Sequence, residues 1–198
     1  MRYLSLLVLG LMCVPAYAAT ILVVGDSLSA GYGLHDDEGW VHLLALRLNQ
    51  SPIKHHVINA SISGDTTAGG VSRITAALRT HQPTVVVIAL GANDGLRGLS
   101  LADMKKNLEQ IITQCQKQKA RVVLVGMRLP PNYGQDYTRA FEKVYTQLAQ
   151  RYRLAFVPFL LQGLENNKNA FQADQLHPVA AVQGRVLDNV WHALKPLL

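Results

Sequence analysis

The chain has 198 residues, nearly half of them apolar (49%), and 19 Lys and Arg against 13 Asp and Glu give a formal charge of +6. That length suits one domain with a proper core rather than two, and the apolar fraction, with no low-complexity tract, excludes a disordered chain. The positive excess is spread without any run of Lys and Arg, which excludes a nucleic-acid partner and leaves a mild attraction for anionic substrates or membrane surfaces.

The first eighteen residues read as a secretory signal peptide. A short, weakly basic start at Met1 and Arg2 leads into the apolar run YLSLLVLGLMCVP, and AYA at 16–18 offers the small side chains a signal peptidase reads. Cleavage is expected after Ala18, since the run is too short to span a bilayer comfortably, and Met12 before Cys13 is too large for a lipoprotein cleavage site. Loss of Arg2 then lowers the formal charge from +6 to +5. The mature chain, 19–198, is expected to be a soluble monomer, periplasmic or secreted, with no stable membrane insertion. Cys115 is its one cysteine, so an intramolecular disulfide is impossible. Cys115 shares a helical face with Met104, Leu108 and Ile111, the pattern of a packing residue.

In chain order, the first strand is expected over 20–27 (TILVVGDS), followed by a helical stripe of Trp40, Leu43, Leu44 and Leu48. A second strand over 55–62 precedes a stripe of Val71, Ile74 and Leu78. The third strand (83–90) and the fourth (120–127) are almost wholly apolar in the middle, as strands covered on both faces should be. Phe141, Val144, Tyr145, Leu148 and Tyr152 mark a further helix, and a fifth strand is expected over 154–160. The last helix carries Val179, Val182, Val186, Val190 and Leu194 on one side. The alternation implies an α/β fold, a flavodoxin-like three-layer sandwich: a five-stranded parallel sheet in the order 2-1-3-4-5 with helices on both faces.

On such a sheet, ligands sit beyond the carboxyl ends of the strands, near the switch between the first and third. The loops that arrive there are GDSLSAGYG, SISGDTTAGG and GANDGLRG. No lysine follows Gly31 or Gly33 in phosphate-loop spacing, and the dinucleotide pattern of glycines is absent. An FMN site is not ruled out by motif, but it leaves DQLHP at the far end of the chain unexplained. There Asp174 precedes His177 by three residues, close enough to hold one ring nitrogen while the other faces a hydroxyl. An isolated pair of this kind is more often a helix cap; three polar loops at the same edge reverse that reading. Pro178 is expected to place His177 at the entrance of the last helix. Ser27 is the serine delivered to the turn, and Ser29 the rival deeper in the helix. Donors for a developing oxyanion are available from the Ser27 N–H, the Gly64 N–H and the Asn93 side chain. HDDEG at 35–39 lacks the alternating oxygen ligands of a calcium loop, and is expected to be acidic residues at the positive end of a helix. No histidine or cysteine cluster has metal-site spacing.

These blocks, Gly25-Asp26-Ser27-Leu28, Gly64, Asn93 within Gly91-Ala92-Asn93-Asp94, then Asp174 and His177, resemble the SGNH, or GDSL-type, hydrolase family across nearly the whole mature chain. INASISGDTTAGG, LGANDGLRG and RLPPNYG are similar to its thioesterase–lysophospholipase branch. The resemblance implies Ser27 as nucleophile, His177 as general base and acid, Asp174 as its orienting partner, and an oxyanion hole from Ser27, Gly64 and Asn93. It implies no metal and no organic cofactor. Acyl esters, thioesters and lysophospholipids are the substrates to expect, with ordinary peptides poor. Two residues depart from the branch: Ala92 and Gln175 stand where glycine is usual. Leu96, Leu129, Pro130 and Tyr133 are expected as walls for an acyl chain, and Arg97 or Arg128 beside an anionic head group. The same residues would serve a carbohydrate O-acetylesterase, and a flavodoxin-like binding protein without turnover is the alternative outside enzymes.

Overall fold

Valine and isoleucine, stiff at χ1 and well suited to a pleated surface, dominate the runs that become strands. The computed structural model describes residues 18–198; most of the expected signal segment, Cys13 included, lies outside the described residues. Five strands, β1 (Thr20–Gly25), β2 (His56–Asn59), β3 (Val85–Ala89), β4 (Arg121–Val125) and β5 (Ala155–Val157), form one parallel sheet. Their order is β2-β1-β3-β4-β5, as expected. The helices are α1 (Ser27–Ala30), α2 (Trp40–Asn49), α3 (Thr67–His81), α4 (Ala92–Leu96), α5 (Leu101–Lys117), α6 (Gln135–Tyr152) and α7 (Gln183–Leu194).

Side chains alternate across a strand, and β1 shows what that does here. Ile21 and Val23 face a layer built from Trp40, Leu44 and Leu48 of α2 and Val186, Val190 and Leu194 of α7. Leu22 and Val24 face the opposite layer, where Ile74 of α3, Leu108 and Ile111 of α5, and Phe141 and Leu148 of α6 close over the sheet. Every residue of β3 is buried, because both layers meet there. Each such side chain contributes roughly 1.5–3 kcal/mol by leaving water, so the sheet centre is the rigid platform on which the loops stand. Cys115 is fully buried on the expected face of α5, and desolvation pushes its thiol up to about 12. It is an inert packing group.

The strands end earlier than their apolar runs suggest. Beyond Gly25, the chain turns at Asp26 into α1, and only isolated ladder bonds persist, such as Ala60 N–H to Val23 O (2.9 Å) and Ile62 N–H to Gly25 O (3.0 Å). Two local expectations are corrected. The acidic stretch at 35–39 does not enter a helix: α2 starts at Trp40 with Gly39 as its cap, and Glu38 instead accepts the His35 N–H at 2.9 Å. His177 and Pro178 do not stand at the mouth of α7, which begins at Gln183 after a 3-10 turn over Ala180–Val182. Pro178 lies in a one-pair antiparallel bridge with Phe171, so β-type pairing, not a helix start, holds this segment.

Candidate active site

A strand meets a helix at Ser27 in the fewest possible residues. Asp26 adopts extended backbone and its Oδ1 accepts the Leu28 N–H at 3.1 Å, capping α1 one residue after β1 ends. Gly25 permits the crossing, because a Cβ there would stand 2.7 Å from Ser29 Oγ and 3.0 Å from Ser61 Oγ. Ser27 therefore occupies the first position of α1, where its backbone N–H has no carbonyl partner within the helix. Its Oγ lies 2.8 Å from His177 Nε2. Ser29, the rival, is 2% exposed, and its hydroxyl has no hydrogen-bond partner among the described residues.

His177 is held from several sides. Its Nδ1 is 2.7 Å from Asp174 Oδ2, while Asp174 Oδ1 accepts the Leu176 and His177 N–H groups at 2.9 and 3.1 Å. The His177 carbonyl takes the Gln172 N–H at 2.8 Å, and Val179 N–H reaches Ala170 O at 2.9 Å, closing a narrow loop. Within that loop Gln175 has φ of +58°, the left-handed region that glycine occupies without cost; this is the physical meaning of its departure from the family pattern. Gln172 Nε2 donates to Tyr32 O at 2.8 Å and ties the loop to the segment after α1. The Tyr32 ring lies 4.6 Å from the His177 ring, tilted by 40°. Burial pushes the Asp174 carboxyl up, but the hydrogen bonds from the His177 ring and from the Leu176 and His177 amides outweigh it and hold the pKa at about 2.

The segments after β2 and β3 carry Gly64 and Asn93. Gly64 has φ of +79°, which a side chain would oppose, and its N–H makes no hydrogen bond among the described residues. The Asn93 amide gives one N–H to Asp65 O at 3.0 Å, which fixes the side chain and leaves its second N–H to point elsewhere. Asp94, 3% exposed, binds α3 to α4: its carboxylate accepts the Thr67 N–H at 2.9 Å and the Thr67 hydroxyl at 2.5 Å.

Ser27 and His177 stand on the wall of a cleft of about 530 Å³. Leu96, Leu129 and Pro130 line it, joined by Met127, Phe159 and Leu176, which the sequence reading missed because they belong to three different loops. Arg128 lines it too, but as a neutralised group: Glu142 and Glu165 lie 3.4 and 3.6 Å from its guanidinium, which stacks over Phe159. Arg97 and Tyr133 do not line the cleft. Arg97 instead donates to Gly64 O at 2.8 Å, and the Tyr133 hydroxyl donates to Leu96 O at 2.9 Å from behind the wall. Among the described residues no group of three or more metal-ligating side chains exists.

A hydroxyl, an imidazole and a carboxylate in hydrogen-bonded series beside an apolar cleft is the constellation of a serine hydrolase. The chain belongs to the GDSL-like lipase/acylhydrolase family, which matches residues 23–185. It is 48% identical over 192 residues to "Esterase TesA" of Pseudomonas aeruginosa, covering 97% of this chain and 96% of that one. It is 38% identical over 197 residues to "Thioesterase 1/protease 1/lysophospholipase L1" of Escherichia coli, covering 99% and 93% of the two chains. The crystal structure of a psychrotrophic esterase, EstA, from Pseudoalteromonas sp., inhibited by monoethylphosphonate, superposes with a TM-score of 0.86 at 37% identity, covering 90% of this chain and 97% of that one. The protein is an ester hydrolase of this family.

Proposed function

We propose that the protein hydrolyses acyl esters and thioesters, lysophospholipids among them, through an acyl-enzyme formed on Ser27. His177 Nε2 takes the Ser27 proton as Oγ attacks the acyl carbonyl, and Asp174 holds the ring at Nδ1 and balances the imidazolium charge. The carbonyl oxygen, now negative, is received by the Ser27 N–H, the Gly64 N–H and the free N–H of Asn93. His177 returns its proton to the departing alcohol or thiol as the bond to it breaks. It then takes a proton from water, which attacks the acyl–Ser27 ester, releases the acid and restores the hydroxyl. Amide nitrogen leaves less readily, so ordinary peptides turn over poorly. We further propose that residues 1–18 are a cleaved export signal and that 19–198 acts as one monomeric domain in the periplasm or outside the cell.

The observation that carries this reading is the series from Ser27 Oγ through His177 to Asp174, at 2.8 and 2.7 Å, on the wall of a largely apolar cleft. The names of the two curated relatives support the substrate classes. The test is hydrolysis of p-nitrophenyl esters from acetyl to palmitoyl by chain 19–198 and by Ser27→Ala. A loss of about a thousandfold or more in kcat is expected of the variant, with longer acyl groups preferred. Equal turnover by both proteins would overturn the nucleophile assignment. Activity confined to acetyl esters would move the substrate to O-acetyl groups.

A further inference from the structure

One side chain outside the Ser27–His177–Asp174 series contacts the segments that carry the Ser27 and Gly64 donors and reaches the third, Asn93, through Asp65. Arg73 projects from the middle of α3, and its guanidinium meets the loop between β2 and α3 at two points and the end of β1. Its Nε donates to Asp65 Oδ2 at 2.8 Å, with Nη2 2.7 Å from the same oxygen. Nη1 donates to Ala60 O, where the chain leaves β2, and Nη2 reaches Gly25 O at 3.3 Å, two residues before Ser27. Asp65 follows Gly64 directly, and its own carbonyl is the acceptor that holds the Asn93 amide. The pair is mostly sheltered, with side-chain exposures of 19% for Arg73 and 11% for Asp65. The sequence makes room for it: a Cβ on Gly69, one turn before Arg73, would overlap Asp65 Oδ1.

We propose that Arg73, clasped by Asp65, is a positioning residue that sets the mutual geometry of the three oxyanion donors. The inference rests on the reading of Ser27, Gly64 and Asn93 as those donors. The three acceptors, one at the end of β1 and two spaced along the loop after β2, approach from different directions, and a planar guanidinium with five fixed N–H groups can bind them together where an ammonium cannot. Beyond Asn59 only two isolated ladder bonds, from the Ala60 and Ile62 N–H groups, hold the loop after β2 against β1. A cross-brace anchored in α3 supplies further restraint, and displacement of a catalytic group by about 1 Å costs on the order of a hundredfold in rate.

The experiment measures kcat and KM on p-nitrophenyl esters, well below the melting temperature, for Arg73→Gln, Arg73→Lys, Asn93→Ala and the double variant Arg73→Gln/Asn93→Ala. Arg73→Gln is expected to lose about 10- to 100-fold in kcat with KM nearly unchanged, the signature of an interaction made in the transition state. Arg73→Lys keeps the ion pair with Asp65 but not the fork, so it should melt close to the parent and still lose kcat. The double variant should lose less than the product of the single losses, since both act on one oxyanion site. Wild-type kcat in Arg73→Lys, or losses that multiply fully in the double variant, would overturn the inference. Wild-type kcat in Asn93→Ala would instead overturn the donor assignment beneath it. If Arg73→Gln does not fold, Gly69→Ala replaces it in the cycle, because its methyl group displaces the Asp65 carboxylate without touching Arg73.

Discussion

Two aspartates flank the reactive groups, and burial treats them oppositely. Asp174 is partly open to solvent and saturated with donors, so it stays ionised down to about pH 2 and its titration contributes nothing to loss of activity in mild acid. Asp26 is 2% exposed, and desolvation dominates: it lifts the carboxyl from 3.8 to about 6, against the Leu28 N–H bond and the neighbouring His177, with Asp65 adding to the rise. A carboxyl whose pKa is raised in the folded state binds its proton more tightly there than in the unfolded chain. The cost is therefore absent below about pH 3.8, grows as pH rises, and is complete above about pH 6, at an order of 3 kcal/mol. Asp26→Asn keeps a carbonyl oxygen as cap for Leu28 and carries no charge. It should stabilise the protein by about 1–3 kcal/mol near pH 8 and by little near pH 4, measured by urea unfolding at both. An advantage equal at both values would show that ionisation of Asp26 is not the cause.

At the scale of elements, the amphipathic helices and the sheet order were legible, because apolar spacing of 3.6 and runs of Val and Ile are local signals. The start of α7 was not. Val179 and Val182 fit its helical stripe, yet the Phe171–Pro178 bridge holds that backbone extended, and the competing pairing lies outside any short window. The stripe of α2 starts at Trp40 as the helix does, but the group that caps it was illegible for a similar reason. Its first N–H, on Trp40, is capped by Gln183 Oε1 at 3.1 Å, from a residue far along the chain. Gln183 is 2% exposed and its Nε2 also donates to Pro178 O at 3.3 Å, so one amide joins α2, α7 and the loop that carries His177. Gln183→Leu leaves the buried Trp40 N–H unpaired, at roughly 1–3 kcal/mol, and Pro178 O with only the 3.4 Å bond from Gln172 Nε2. The urea midpoint is expected to fall accordingly, and kcat on a p-nitrophenyl ester to fall with it. An unchanged midpoint would mean that water or a shifted side chain replaces the cap.

Over the whole molecule, the reactive series could be read from sequence because its members sit in two short motifs, GDSL at the end of β1 and DQLHP in the loop before α7, which the topology brings to one edge of the sheet. What could not be read is the bracing: Arg73 to the end of β1 and the loop after β2, Gln172 to Tyr32, and Asp94 to Thr67 all depend on distances between elements, not on spacing along the chain. Among the described residues, the earliest backbone hydrogen bonds are made at Ala19. Ala19 is 3% exposed, its N–H donates to His55 Nδ1 at 3.0 Å, and its carbonyl accepts the His56 N–H at 2.9 Å. Thr20 opens β1, pairs with His56 and accepts the Thr84 N–H at 2.9 Å. A chain starting at Ala19 retains every one of these partners, with its terminal amine able to donate to His55 as the amide did. A chain starting at Ile21 leaves the Thr84 and His56 N–H groups without acceptors and removes the first residue pair of the β1–β2 ladder. Chain 19–198 is therefore expected to match the full chain in melting temperature and in kcat. Chain 21–198 should lose about 2–5 kcal/mol, from two unpaired backbone groups and the buried Ala19 contacts, and melt several degrees lower. Equal melting of all three chains would place the first essential residue inside β1 rather than at Ala19.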